Sequence, residues 1–215
     1  MGRIVDLGRL TTDLEGVVMI QGVGLTSNVY LILGRAPSLI DTGSGPPENP
    51  LKHMLLKAGV KPESLRTVIL THHHPDHAGG LEELTGLGVQ VMAHPDAVAR
   101  IKGDFEVRAV MDGSTVSAGH LTFKILHTPG HTPDAICLYN HAYQILFSGD
   151  TVFPGGSFGR TDLPGGDSGK LMVSLKRLNN LQVRHLLPGH ETPVVGGGSK
   201  HLAASLQSAL EYLSP

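Results

Sequence analysis

Thr71-His72-His73-His74-Pro75-Asp76-His77-Ala78-Gly79-Gly80 sets His72, His74, Asp76 and His77 at H-x-H-x-D-H spacing. Imidazole and carboxylate donors at this density suit zinc, iron or manganese, and without a cation they would crowd groups that repel one another once protonated. A histidine tag is a terminal homopolymer, whereas this run is internal and follows the apolar Val68-Ile69-Leu70. That short, β-branched run reads as a buried strand, so the cluster begins where a strand ends. Extended residues alternate faces; His72 and His74 therefore point one way and His73 another, which leaves His73 outside the ligand set. Pro75 turns the chain into a helix expected to carry Asp76 and His77 at its start and to run through Glu82, Glu83 and Leu84. Neighbours on a helix face different directions, so Asp76 and His77 can serve a second position beside the first.

Four side chains do not complete two metal sites, and three other strand ends offer more. Ile125-Leu126-His127-Thr128-Pro129-Gly130-His131-Thr132 follows an alternating run and ends in a Pro-Gly turn that presents His131. Tyr143-Gln144-Ile145-Leu146-Phe147-Ser148-Gly149-Asp150-Thr151 is an apolar strand ending in a carboxylate. His185-Leu186-Leu187-Pro188-Gly189-His190-Glu191 repeats strand, Pro-Gly turn and histidine. One polar residue just past each apolar strand points to convergence on a common site.

These motifs, with Leu39-Ile40-Asp41-Thr42-Gly43, stand in an order that resembles the metallo-β-lactamase superfamily over almost the whole chain. The resemblance implies one metal held by His72, His74 and His131 and a second by Asp76, His77 and His190, with Asp150 bridging. It implies that Asp41 stands behind the ligands and holds a histidine in the correct tautomer through the ring nitrogen that the metal does not use. The segment from Gly149-Asp150-Thr151-Val152-Phe153 to Gly159-Arg160-Thr161-Asp162-Leu163-Pro164-Gly165-Gly166-Asp167 is similar to short glyoxalase II-like hydrolases, which cleave thioesters as hydroxyacylglutathione hydrolases do. Where those enzymes carry an extended helical segment after the last histidine, Lys200 to Leu213 reads as one amphipathic helix with Leu202, Leu206, Leu210 and Leu213 on its apolar stripe. Arg160 is a candidate for gripping a substrate carboxylate.

The expected chemistry is hydrolysis of a small-molecule thioester or ester by a metal-dependent enzyme. Two divalent ions, zinc first and iron or manganese as alternatives, would lower the pKa of a bridging water from 15.7 toward about 7 and leave a hydroxide to attack the carbonyl. Asp76 would orient that hydroxide, and the second metal would favour departure of the thiolate or alkoxide. Lactones and other esters are alternative substrates. A different reaction on the same site is that of the family's persulfide dioxygenases, with one iron held by His72, His131 and Asp150. Gly155-Gly156-Ser157-Phe158-Gly159 matches the G-x-S-x-G pattern of serine hydrolases, but the strand and immediate helix that pattern requires are missing around it.

With 215 residues and 40% hydrophobic content, the chain can bury a full core as one domain, residues 1–215. A formal net charge of -2 without a basic run argues against a nucleic-acid surface. The one cysteine, Cys137, lies in an apolar run and reads as a small buried hydrophobe, so a disulfide framework is excluded. No apolar stretch approaches bilayer length and Asp6 comes too early for a secretion signal, so no membrane partner and a cytoplasmic location are expected. Strand-like runs at Val17 to Ile20, Asn28 to Leu33 and Ser38 to Ile40, a helix around Leu51 to Ala58, a strand near Val89 to Met92, a helix opening near Pro95, strands from Phe105 to Phe147, and helices at Ser168 to Leu178 and the C-terminus suggest an α/β fold. The expected architecture is a four-layer αββα sandwich of two mixed sheets with helices outside.

Overall fold

The computed structural model describes residues 2–213; Met1, Ser214 and Pro215, the ends of the expected domain, lie outside them. The first half builds a mixed sheet whose strands lie side by side in chain order: β1 (Ile4–Asp6), β2 (Val17–Ile20), β3 (Val29–Ile32), β4 (Ser38–Ile40), β5 (Thr67–Ile69), β6 (Gln90–Ala93) and β7 (Glu106–Ala109). β1 to β4 pair antiparallel, whereas β4 to β7 pair parallel, with α1 (Leu51–Lys57), α2 (Pro75–Ala78) and α3 (Pro95–Val98) in the crossovers. The second sheet has the order β13-β12-β11-β10-β9-β8, from β8 (Thr115–Ala118), β9 (Leu121–His127), β10 (Ile136–Asn140), β11 (Ile145–Gly149), β12 (His185–Pro188) and β13 (Val194–Val195). Its β11 and β12 are parallel, and α4 (Ser168–Leu178) and α5 (Gly198–Tyr212) cover it.

Alternation within the strands separates the layers. Ile40, Ile69 and Met92 face Phe123, Phe147 and Leu187 in the core between the sheets. The intervening Leu39, Val68 and Val91 face outward onto Leu51, Met54 and Leu55 of α1. On the far side, Leu126, Cys137 and Leu146 pack under Leu171, Leu175 and Leu178 of α4 and Leu202 of α5. This is the expected αββα sandwich, with each sheet apolar on both faces because each is covered on both. Asp167 caps α4 by accepting from the Lys170 N–H at 2.9 Å, and Lys176 and Arg177 sit in its last turn, where a helix favours cations.

Two details differ from the sequence reading. The helix that opens at Pro75 ends at Ala78 and continues as a 3₁₀ segment over Gly79–Leu84, because Gly79 and Gly80 pass so close to Ser44 and Thr42 that Cβ atoms there would meet carbonyl oxygens. The helix expected to open near Pro95 does so, as a single turn. On α5, Leu202 is buried and Leu206 and Leu213 pack against the same core as expected, but Leu210 is 41% exposed, and the small Ser205 and Ala209 are buried instead. Among the described residues, no helix is long and apolar enough to cross a membrane.

Candidate metal centre

β4, β5 and β6 run in one direction and end at one edge of the first sheet; β9, β11 and β12 do the same in the second. The seven side chains singled out in the sequence follow the ends of β5, β9, β11 and β12 and meet in two groups. Donor atoms of His72, His74 and His131 form one, and those of Asp76, His77, Asp150 and His190 the other, each within 4.8 Å. Both groups draw on both sheets.

Hydrogen bonds decide which ring nitrogen faces inward. The Thr71 N–H and Oγ1–H donate to Asp41 Oδ1 and Oδ2 at 2.7 and 2.8 Å. With its hydroxyl proton so committed, Thr71 Oγ1 accepts from His72 Nδ1–H at 3.1 Å, which leaves His72 Nε2 with a bare lone pair. His77 Nδ1–H donates to Asp41 Oδ2 at 2.8 Å, and His131 Nδ1–H to the Arg160 carbonyl at 2.8 Å, so their Nε2 atoms face inward as well. These are the partners that orient metal-binding imidazoles. His74 Nδ1 lies 3.1 Å from His72 Nε2 and 3.0 Å from His131 Nε2. With the His74 proton on Nε2, three nitrogen lone pairs would converge at this spacing, an arrangement that a cation among them stabilises.

In the second group, His190 Nε2 is 3.1 Å from Asp76 Oδ2, and His77 Nε2 is 3.2 Å from Asp150 Oδ1. Asp150 Oδ2 lies 3.6 Å from His131 Nε2 and 3.5 Å from His190 Nε2, so one carboxylate stands between the two groups. His77 Nε2 and Asp150 Oδ1 are buried without a hydrogen-bond partner. A divalent ion satisfies such orphaned atoms, and the residues present fit one.

The electrostatics agree. Burial, with the positive field of His77, holds His72 well below the ordinary histidine range, which keeps its imidazole neutral, the form that can bind a metal. Burial opposes charge on His77 and His190 too, yet Asp150 with Asp41, and Asp150 with Asp76, outweigh it; His77 is raised well above its usual value and His190 is pushed up to about 9. Burial likewise works against the Asp150 carboxylate, but His77 and His190 hold it well below the usual range. A field that retains protons on two ring nitrogens also attracts a cation.

His73 turns away and meets Asp134 at 2.6 Å. Asp134, Thr71 and the Arg160 carbonyl were not read from the sequence. No spacing rule points to a hydroxyl beside a histidine or to a backbone oxygen across the fold. The Arg160 guanidinium borders the cleft, but its fork is taken by Asp162 at 2.9 and 2.8 Å; what reaches the metal centre is its main chain. Gly189 completes the packing: a Cβ there would lie 2.3 Å from Asp150 Oδ1 and 2.6 Å from His77 Cε1. Ser157 of the G-x-S-x-G run is exposed and extended, with no helix after it. The two groups open into a cleft of about 900 Å³.

The chain is similar to several known proteins. Atrochrysone carboxyl ACP thioesterase of Aspergillus fumigatus is 31% identical over 179 residues, 81% of this chain and 52% of that protein. Hydroxyacylglutathione hydrolase of Citrobacter koseri is 38% identical over 144 residues, 66% of this chain and 52% of that one. The chain spans about half the length of these curated relatives. The structure of TTHA1623 in a di-iron-bound form is 30% identical, with a TM-score of 0.67 over 87% of this chain and 95% of that one. The Metallo-beta-lactamase superfamily model matches residues 22–190. With its two convergent His/Asp groups at the shared edge of an αββα sandwich, this chain belongs to the metallo-beta-lactamase superfamily.

Proposed function

We propose that this protein is a binuclear metal-dependent hydrolase of thioesters or esters. The observation that carries the reading is the placement of Asp150 between two complete donor groups that face one open cleft. His72, His74 and His131 would hold one ion and Asp76, His77 and His190 the other, with Asp150 shared. Nitrogen and carboxylate donors suit zinc or iron, and a similar protein has been solved with two irons. Bound there, divalent ions supply Lewis acidity for the carbonyl and lower the pKa of a water.

The chain's own groups do the rest. Asp76 is half-buried at the cleft wall, and its Oδ2 is placed to accept and orient a proton of the attacking water. Asp41, through Thr71 and His77, fixes two rings so that their Nε2 atoms stay fixed as charge develops. The released thiolate or alkoxide leaves through the cleft, and no protein nucleophile is needed.

Metal content of protein purified without added metal, measured beside thioester hydrolysis and oxygen uptake on glutathione persulfide, tests this. The expected result is close to two metals per chain and hydrolysis without oxygen consumption. One iron per chain with stoichiometric oxygen uptake would show instead a dioxygenase built on His72, His131 and Asp150.

A further inference from the structure

The cleft has an apolar wall that no metal chemistry requires. Val23 and Leu25 project from the loop between β2 and β3, 47% and 88% exposed, and Phe153, Phe158 and Leu163 reach the same cleft from the segment after β11. The base of the first loop is pinned to both ligand-bearing loops: Ser27 N–H donates to the Asp76 carbonyl at 3.1 Å and Asn28 N–H to the Gly189 carbonyl at 2.6 Å. Asn28 Nδ2 adds bonds to the carbonyls of Pro188 and Glu191. Leu25 is thus an exposed leucine on a loop held beside the metal donors. The Phe153 ring stands 6.2 Å from that of His190, so the apolar wall begins at the reacting end.

Charge along the cleft points the same way. Among the described residues lining it, Arg160 carries the one guanidinium or ammonium, and Asp162 already neutralises its fork. Glu48 and Glu191 border the cleft as exposed acids. A glutathione carrier brings two carboxylates that need cations, and this lining offers them acids and hydrocarbon instead.

We infer that the substrate's acyl part is an apolar chain or ring seated against Leu25 and Phe153, and that its carrier is recognised without carboxylates. This rests on the hydrolase reading above. The reaction is simple hydrolysis: water oxygen bonds to the acyl carbon, the carbon–sulfur bond breaks, and the thiolate leaves with a proton from water.

The test compares acetyl- and octanoyl-N-acetylcysteamine, an uncharged carrier, with octanoylglutathione on the metal-loaded protein. Each fully buried methylene is worth up to roughly fourfold, and in an open cleft the six added by octanoyl should raise kcat/KM at least about tenfold. The uncharged carrier should beat glutathione, and Leu25→Ser should narrow the octanoyl-to-acetyl ratio by about threefold. Hydrolysis that is indifferent to chain length, or faster with glutathione, overturns the inference and leaves the hydrolase reading standing. If neither these thioesters nor the matching octanoyl ester is cleaved, the hydrolase reading fails and binding decides the inference. The sequence has no Trp, so N-phenyl-1-naphthylamine fluorescence reports cleft binding cleanly. Displacement by octanamide but not glutathione, weakened about threefold in Leu25→Ser, supports an apolar acyl site; failure of the probe to bind, or equal binding by the variant, overturns it.

Discussion

Asp41 shows how one side chain sets the chemistry of others. It takes φ +59°, a left-handed conformation that Asp and Asn tolerate better than most residues, and so turns its carboxylate back onto Thr71 and His77. Asp41→Asn keeps that backbone and size but loses the charge, and one carboxamide nitrogen must face a donor. Metal affinity in the group of Asp76, His77 and His190 should fall by roughly 10–100-fold while the fold survives. Titration of metal-free protein followed by calorimetry checks this, and unchanged affinity in both groups would count against the assigned role. The histidines and Asp150 were legible because their chemistry is tied to residue type and to strand ends. The Arg160 carbonyl was not, since a backbone oxygen carries no sequence signature and only the fold aims it at His131.

At the scale of elements, short apolar runs followed by turns were enough to find most strands, but not the short edge strands Ile4–Asp6 and Val194–Val195. Parallel pairing was not written there, yet it puts the ends of β4 and β5, and of β11 and β12, on one edge. The C-terminal helix was legible as amphipathic with Leu202, Leu206 and Leu213 on its packed stripe, but Leu210 was not on it, because hydrophobicity alone ignores small residues that allow close approach. Ser205 is one of these. Its buried hydroxyl lies 2.7 Å from the Ser157 carbonyl and 3.3 Å from that of Phe153, tying α5 to the segment that walls the cleft. Ser205→Ala removes this donor, while the Ser157 carbonyl keeps the Phe153 N–H at 3.0 Å, and should cost about 0.5–1.5 kcal/mol in urea unfolding. A wild-type midpoint and slope would mean that water or a shifted backbone replaces the hydroxyl.

Across the whole molecule, the metal centre joins two halves. His72, His74, Asp76 and His77 follow the first sheet, His131, Asp150 and His190 the second, and each donor group contains members of both. Ions bound there would stabilise only the docked arrangement. At a free concentration 1,000 times the dissociation constant, each adds about 4 kcal/mol. Chelation should therefore lower Tm by roughly 8–16 °C per ion at that occupancy for a chain of this size. Calorimetry with and without chelator reads it directly, and an unchanged Tm would show that the groups hold no ion in the folded protein. The chain's sequence by itself determined the donor types, the local turns that expose them and the layered α/β class, because residue chemistry and hydrophobic period are local properties. Only the tertiary structure decided which donors share a group, which ring nitrogens face inward and which hydrocarbon walls the cleft. Those depend on contacts between residues from tens to more than a hundred positions apart, from His131 and Arg160 to Asp76 and His190, which pairing between and within sheets creates.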